Sequence, residues 1–447
     1  MSSAKETAAP RPALSVFDAV MITTGIVIGA GIFKTPSMVA GVTGSVEWML
    51  IAWVLGGVLS LVGALCYAEL ATTFPSAGGD YHFLTRAYGR NLSFFFAWAR
   101  VTVITAGSIA LLGFVFGDYM SRVLPLGPHS SAVWAAGLIV LLTALNLAGL
   151  KESAGLQNLM TVLLVCGVVT VGAVGFAQPQ VAAASIVPAA GSGLPAMFGL
   201  AMVFVLLTYG GWNEAAYVSA EIRGSRRAIV WALVAALALI ALVYLVFVLG
   251  AFNALGLEGM KTSKAVGAEV MQRAFGERGE VVLSLIVALA TLTSINATML
   301  VGARTNYALG RDWPALAFMS GWNAARGVPV RAFLVQAVLS LGLVAFGAFQ
   351  KDGFSAMVEF TAPVFWFFFM LTGVALFVLR FREPHVARPF KVPGYPILPI
   401  VFVLTCGYLF YSSVTYAQSQ QAVHVALGVM AAGAVAWILM RLLGRAE

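Results

Sequence analysis

Residues 25–36 read GIVIGAGIFKTP, and residues 209–221 read YGGWNEAAYVSAE. Each stretch sets glycines into a run otherwise apolar enough to cross a bilayer. Gly25, Gly29 and Gly31 weaken the first helix, and Pro36, suited to an opening helical turn, starts a new segment. Gly210 and Gly211 interrupt the second, and the polar pair Asn213 and Glu214 follows. In lipid every backbone N–H and C=O needs a partner, so an interruption survives only where protein walls a cavity. It frees N–H groups at a half-helix N-terminus, where the dipole is positive, and carbonyls at the adjoining C-terminus. The chemistry on offer is main-chain recognition of two opposite charges. N–H groups around Gly29, Ala30 and Gly31 suit a carboxylate; carbonyls around Ile26 and from Leu207 through Thr208 to Tyr209 suit an ammonium. Glycine also admits a ligand to the backbone with no Cβ in the way.

A glycine pattern of this kind also fits plain helix–helix contact. The pairing separates the two readings. The interruptions fall in the first and sixth apolar spans, where corresponding members of two inverted repeats would place a transporter's binding site.

The elements that must carry these stretches follow from composition. Of 447 residues, 60% are hydrophobic and 10% charged, against about a quarter charged in a soluble domain. Too few charges remain to coat a water-facing surface, so the chain reads as an all-α membrane protein. A span needs about 20 mostly apolar residues, and twelve are placed near 16–40, 48–72, 91–120, 132–150, 157–177, 195–220, 228–252, 280–306, 329–349, 355–380, 397–416 and 422–442. Residues 1–15 form a polar tail with no signal-peptide pattern, and 16–447 form one domain. The net charge is +8, but the basic residues are spread through short loops as topology signals, which argues against a nucleic-acid partner. Most of them fall on the inside if both termini are cytoplasmic. Cys66, Cys166 and Cys406 lie in apolar stretches, with no disulfide framework or metal spacing. No Walker loop or serine elbow appears, so an enzyme is not expected. Within the long loop 253–279, residues 262–276 read as a short helix closed by glycine, either a connector or a lid. The loop 74–90 reads as an amphipathic helix at the inner surface.

GIVIGAGIFKTP, YAELATTFPSAGGDYHFL (Tyr67 to Leu84) and YGGWNEAAYVSAE together resemble the L-type amino acid transporter branch of the amino acid–polyamine–organocation superfamily. The resemblance implies a LeuT-like fold with discontinuous helices 1 and 6. Helices 1–5 (about 16–177) and 6–10 (about 195–380) would be inverted repeats, followed by two further helices (about 397–442). It implies secondary transport of an amino acid by alternating access, as an antiporter or ion-coupled symporter in the plasma (inner) membrane. Neutral L-amino acids are the leading expectation; cationic amino acids, or a sensor that binds without transport, are the alternatives. By position, Gly29, Ala30 and Gly31 match the carboxylate-binding glycines, and Tyr209, Gly210, Trp212 and Asn213 match the second interruption. Leu207 stands where the family often has an aromatic gate. Eukaryotic members join a heavy chain through a cysteine between spans three and four. The corresponding SRVLPLGPHSS (Ser121 to Ser131) has none, so no disulfide-linked heavy chain is expected; substrate and membrane lipid are the expected partners.

Many sodium-independent relatives carry a lysine in span five; the matching position here is Leu164. In span eight, Thr293 and Ser294 stand where sodium-coupled LeuT-fold proteins carry a hydroxyl pair. With the carbonyls of Gly25, Ile28 and Ala290 they would make a five-oxygen sodium site, the only cofactor weighed. The competing reading is that both hydroxyls bond the preceding turn.

Ionisable groups within spans are functional candidates by default. Arg100 and Glu214 read either as a buried pair or as a free Glu214 able to carry a proton or meet an ammonium. Glu69 is expected to pair with Arg86 or Arg90, Glu221 to join an inner gate or a surface pair, and Glu359 to be hydrated. Lys34 is expected to snorkel outward rather than charge a vestibule.

Overall fold

The computed structural model describes residues 20, 23–25, 27–76, 79–149, 154–181, 197–213, 226–323, 328–417 and 420–442. The N-terminal tail, Ile26, Glu214 and Glu221 lie outside the described residues. Every described regular element is helical; the one pairing of extended residues is an isolated bridge between Asn323 and Val328.

In chain order, a 3-10 turn Ala30–Phe33 leads into α1 (Thr35–Thr43), α2 (Val46–Thr73), α3 (Asp80–Tyr88) and α4 (Arg90–Ala99). A π-helical stretch, Arg100–Thr105, joins α4 to α5 (Ala106–Val123). Then come α6 (Ser130–Leu147), α7 (Ala154–Ala177), α8 (Phe198–Thr208), α9 (Arg226–Thr262) and α10 (Val266–Asp312). The last four are α11 (Val330–Ala348), α12 (Gly353–Arg382), α13 (Ile397–Thr415) and α14 (Gln420–Leu442).

Nine helical segments among the described residues are long and apolar enough to cross a membrane. They are α2, α4 with α5 as one run Arg90–Val123, α6, the Trp231–Thr262 part of α9, and α10 to α14. Among the described residues the fifth and sixth spans offer only shorter apolar helices, Val162–Ala177 and Phe198–Thr208. Large apolar side chains face outward along these helices, among them Val58, Val140, Leu242, Val338 and Leu404. Such a surface suits lipid and not water. The chain is thus a multi-pass membrane protein.

Chain direction reverses at each span, so the loops sort onto two faces. One carries the C-terminal end of α2 with Glu69; the other carries Lys34. On the Lys34 face, α10 opens with a short helix that breaks at Gly276, whose φ of 65° is left-handed. This is the glycine-closed loop helix expected from sequence. On the Glu69 face, α3 is the expected amphipathic helix, with Asp80, Phe83, Leu84 and Ala87 buried. It docks on α12: the Tyr88 hydroxyl donates to the Leu371 carbonyl at 2.8 Å and Thr372 Oγ1 to Asp80 Oδ1 at 3.1 Å.

Candidate functional site: two interrupted helices

The first span is helical at Thr23–Gly25 and Val27, irregular at Ile28 and Gly29, and helical again from Ala30. Gly29 is the N-cap of the 3-10 turn, with φ −115° and ψ −179°. The amides of a first helical turn have no partner within the helix, so the N–H groups at Gly29, Ala30 and Gly31 must find partners outside it; that of Gly29 meets the Tyr244 hydroxyl. The second interruption follows α8: Tyr209 and Gly210 form a turn, Gly211 sits at φ +100°, and Trp212 and Asn213 resume helical geometry. That φ is one that only glycine adopts without strain.

Tertiary packing sets the two interruptions side by side. Thr208 Oγ1 donates to Thr35 Oγ1 at 2.7 Å. A Cβ built on Gly31 would lie 3.7 Å from Thr208 Oγ1, so the first interruption's backbone rests against the Thr208 side chain. The Tyr244 hydroxyl of α9 lies 3.1 Å from the Val27 carbonyl oxygen and 3.2 Å from that of Thr208. One phenol thereby serves a freed carbonyl of each broken helix. By contrast, a Cβ on Gly29 would meet nothing nearer than the Val27 oxygen at 4.0 Å, so the backbone there faces open space.

The expected site residues divide by role in this packing. Gly29, Ala30, Gly31, Thr208 and Gly210 supply backbone or a small side chain at the junction. Tyr209 is fully buried: its hydroxyl donates to the Trp53 carbonyl at 3.1 Å, and its ring packs on Trp53 and Tyr244. Trp212 is buried among Tyr67, Phe369 and Phe402. α2 approaches both rings closely because it presents glycine there. A Cβ on Gly56 would overlap Val205 at 2.3 Å, and one on Gly63 would overlap Trp212 at 2.5 Å. Leu207 and Asn213 are half-buried.

In α10 the Thr293 and Ser294 hydroxyls both donate to the Ala290 carbonyl, at 2.9 and 3.1 Å. The pair therefore bonds the preceding turn, and the carbonyl counted toward a cation already accepts two protons. Leu164 is buried.

A family profile described as amino acid permease matches residues 14–439, nearly the whole chain and both interruptions. The chain belongs to the amino acid permease family. Among its relatives is the b(0,+)-type amino acid transporter 1 of Mus musculus, 26% identical over 407 residues, covering 89% of this chain and 81% of the relative. The Asc-type amino acid transporter 1 of Mus musculus is 27% identical over 418 residues, 91% and 77% of the two chains. The large neutral amino acids transporter small subunit 2 of Rattus norvegicus is 26% identical over 405 residues, 87% and 73%. The resemblance carried by the three sequence stretches therefore holds, and these relatives are named as transporters and not as enzymes.

Two ion clusters flank the interruptions in this permease, and both correct sequence expectations. Lys34 does not snorkel: its side chain is 0% exposed, and Nζ lies 2.9 Å from Asp118 Oδ2 and 3.0 Å from Asp352 Oδ2. Its position explains this, because it follows the 3-10 turn directly and the loop helix covers it. A Cβ on Gly267 would overlap Phe33 at 2.8 Å, and Ser37 Oγ donates to the Ser263 carbonyl at 2.7 Å. Asp118 carried a usable signal, an acid inside the apolar run of α5; Asp352 carried none, since it stands at a helix start, where it also caps α12.

On the other face, Glu69 pairs with neither Arg86 nor Arg90. Arg380 grips it with two bonds of 2.7 and 2.6 Å, the Val392 N–H donates to it at 2.7 Å, and Arg388 Nε lies 3.7 Å away. Arg86 instead forks onto Glu383, and Arg90 lies over the Trp313 ring. The α2 terminus meets the α12 terminus through long-range packing that no local spacing reveals. Glu359 is buried within α12, where a hydrated carboxylate was expected. Nε of Arg100 is buried in the π-helical stretch without a hydrogen-bond partner among the described residues. A π-helical turn inside an α-helix often marks a functional site.

Proposed function

We propose that the protein carries neutral L-amino acids across the membrane by alternating access, with the two interrupted helices as its substrate cradle. The observation that carries this reading is the junction itself: the Gly29–Gly31 donors stand beside the end of α8, with open space at Gly29. In the cradle a substrate carboxylate accepts from the N–H groups of Gly29, Ala30 and Gly31 at a positive helix end. The ammonium donates to carbonyls near Ile26 and across Leu207 to Tyr209. Leu207, Thr208 and Gly210 border the α-carbon, while Tyr209 and Trp212 support the turn from behind. Asn213 and Glu214 follow it and would bias the choice between neutral and cationic side chains, with Arg100 as Glu214's partner.

Family membership and the relatives' names support amino acid transport. The name of one relative, a large neutral amino acids transporter, supports the neutral class. We place the chain in the plasma membrane with twelve spans and both termini cytoplasmic, so that the Lys34 face is outside. Residues 16–177 and 195–380 would be the inverted repeats. We assign it no disulfide-linked heavy chain. The mode we propose is sodium-independent exchange, supported by the Thr293 and Ser294 hydroxyls donating to the Ala290 carbonyl, the ordinary structural use of such groups in a membrane helix.

The test is flux. Purified protein in liposomes should exchange labelled alanine, serine or leucine, with arginine a poor competitor. Binding without flux would leave a sensor, strong competition by arginine would move the substrate class to cations, and a folded protein that neither binds nor moves any amino acid ends the reading.

A further inference from the structure

Arginines from α4, α12 and α14 converge on the corner between α3 and α4. Gly89 turns that corner at φ 85°, a value that favours glycine. Arg90 opens α4, and its guanidinium lies over the Trp313 ring, 5.3 Å from the centroid. Arg441, near the end of α14, lies over the Trp437 ring at 4.5 Å, with Nη2 3.5 Å from Asn91 Oδ1. Arg382, the last residue of α12, donates from Nη1 to the Ala87 carbonyl at 2.9 Å. The three side chains thus meet around residues 87–91.

α4 explains the convergence. Phe94, one turn on from Arg90, packs edge-on against Trp313, and Phe95, one turn on from Asn91, packs on Trp437. Adjacent faces of one helix therefore fix two tryptophans, and each tryptophan holds an arginine over its ring face. Backbone and ring contacts place the guanidinium groups; acids do not. Among the described residues none of the three arginines makes an ion pair. The acids next to them in the chain are engaged elsewhere. Glu383 pairs with Arg86, and Asp312 accepts from the Tyr81 hydroxyl at 3.4 Å.

All three arginines are exposed. Two of them stand beside apolar side chains that are also exposed: Phe381, at 87%, precedes Arg382, and Leu442, at 77%, follows Arg441. α12 and α14 are both long and apolar enough to cross the membrane, so their ends lie where hydrocarbon gives way to headgroups. At that level an apolar side chain meets acyl chains and a charged one meets phosphates. A lone snorkelling arginine touches any passing headgroup. Three held at one corner, with N–H donors to spare, make a fixed seat for a phosphate.

We infer that Arg90, Arg382 and Arg441 seat the phosphate of an anionic phospholipid, whose acyl chains lie beside Phe381 and Leu442. Three positive charges with no acid paired to them favour a headgroup of net negative charge. They repel the ammonium of a zwitterionic one. The bound headgroup ties α12 and α14 to the α3–α4 corner, on the face where Arg380 holds Glu69. The seat is separate from the cradle and depends on neither the substrate nor the direction of transport.

The test is lipid retention. Purified full-length protein in neutral detergent, offered equal amounts of dioleoyl phosphatidylglycerol and dioleoyl phosphatidylcholine, is read by native mass spectrometry. One phosphatidylglycerol should be retained, at least about tenfold in preference to phosphatidylcholine. Arg90→Gln, Arg382→Gln and Arg441→Gln should each lower that retention about fivefold, the weight of one arginine at an anionic surface. Arg441→Lys should retain more than Arg441→Gln, because the charge stays while the planar donor fork is lost. Arg331, exposed at the start of α11 on the same face, serves as the control, and Arg331→Gln should change nothing. Equal retention of the two lipids overturns the seat. A loss in Arg331→Gln that matches the other three would mark diffuse surface charge and overturn it as well. Millimolar inorganic phosphate should leave the lipid in place; full displacement would make the occupant a soluble anion and overturn the assignment to lipid.

Discussion

The Tyr244 hydroxyl sits between the carbonyl oxygens of Val27 and Thr208, at 3.1 and 3.2 Å. One side chain of α9 therefore joins two interruptions that lie far apart in the chain. Its single proton satisfies carbonyls that the broken helices cannot satisfy themselves.

Tyr244→Phe should keep the ring packed on Trp53 and Tyr209 while stripping the shared donor. A buried acceptor left bare costs about 1–3 kcal/mol, so thermal unfolding in detergent should show a modest loss. Exchange in liposomes should slow by about tenfold, equivalent to about 1.4 kcal/mol on the barrier. Unchanged exchange would mean that the junction works without this tie.

Gly29→Val separates folding from binding. The φ and ψ at Gly29 are open to any residue, and its Cβ position is clear to 4.0 Å. The variant should fold as the parent does. Amino acid binding, read as ligand-induced thermal stabilisation, should weaken by at least about 100-fold, or about 2.7 kcal/mol. Parental affinity would place the cradle elsewhere.

Two ion pairs on the Glu69 face should differ in weight. Glu69→Gln leaves Arg380 and Arg388 without their buried counter-charge, a loss of about 3–5 kcal/mol. Glu383→Gln breaks a more exposed pair with Arg86, worth at most about 1 kcal/mol. The Arg86 hydrogen bonds hold the Glu383 carboxyl below its ordinary range. Its small contribution is therefore complete above about pH 4.3 and fades as pH falls through the lowered value. Equal destabilisation of the two variants in thermal melts would contradict this ranking.

Replacing sodium with choline should leave exchange unchanged, and Thr293→Ala with Ser294→Ala should cost less than about threefold in rate, under about 1 kcal/mol. A sharp sodium dependence removed by those substitutions would reinstate the five-oxygen site.

What the sequence determined by itself was set by local composition. The apolar runs, the two glycine-broken spans, the loop helix closed at Gly276 and the family resemblance all follow from residue type and spacing. Bilayer thickness and backbone hydrogen bonding constrain each span one at a time. Tertiary structure decided which distant groups meet. It put Tyr244 across both breaks, gave Glu69 to Arg380 in place of Arg86 or Arg90, buried Glu359, and closed Lys34 between Asp118 and Asp352. Charged and hydroxyl groups choose partners by proximity in a low-dielectric interior, and proximity between helices hundreds of residues apart is fixed by packing, which a linear pattern does not encode.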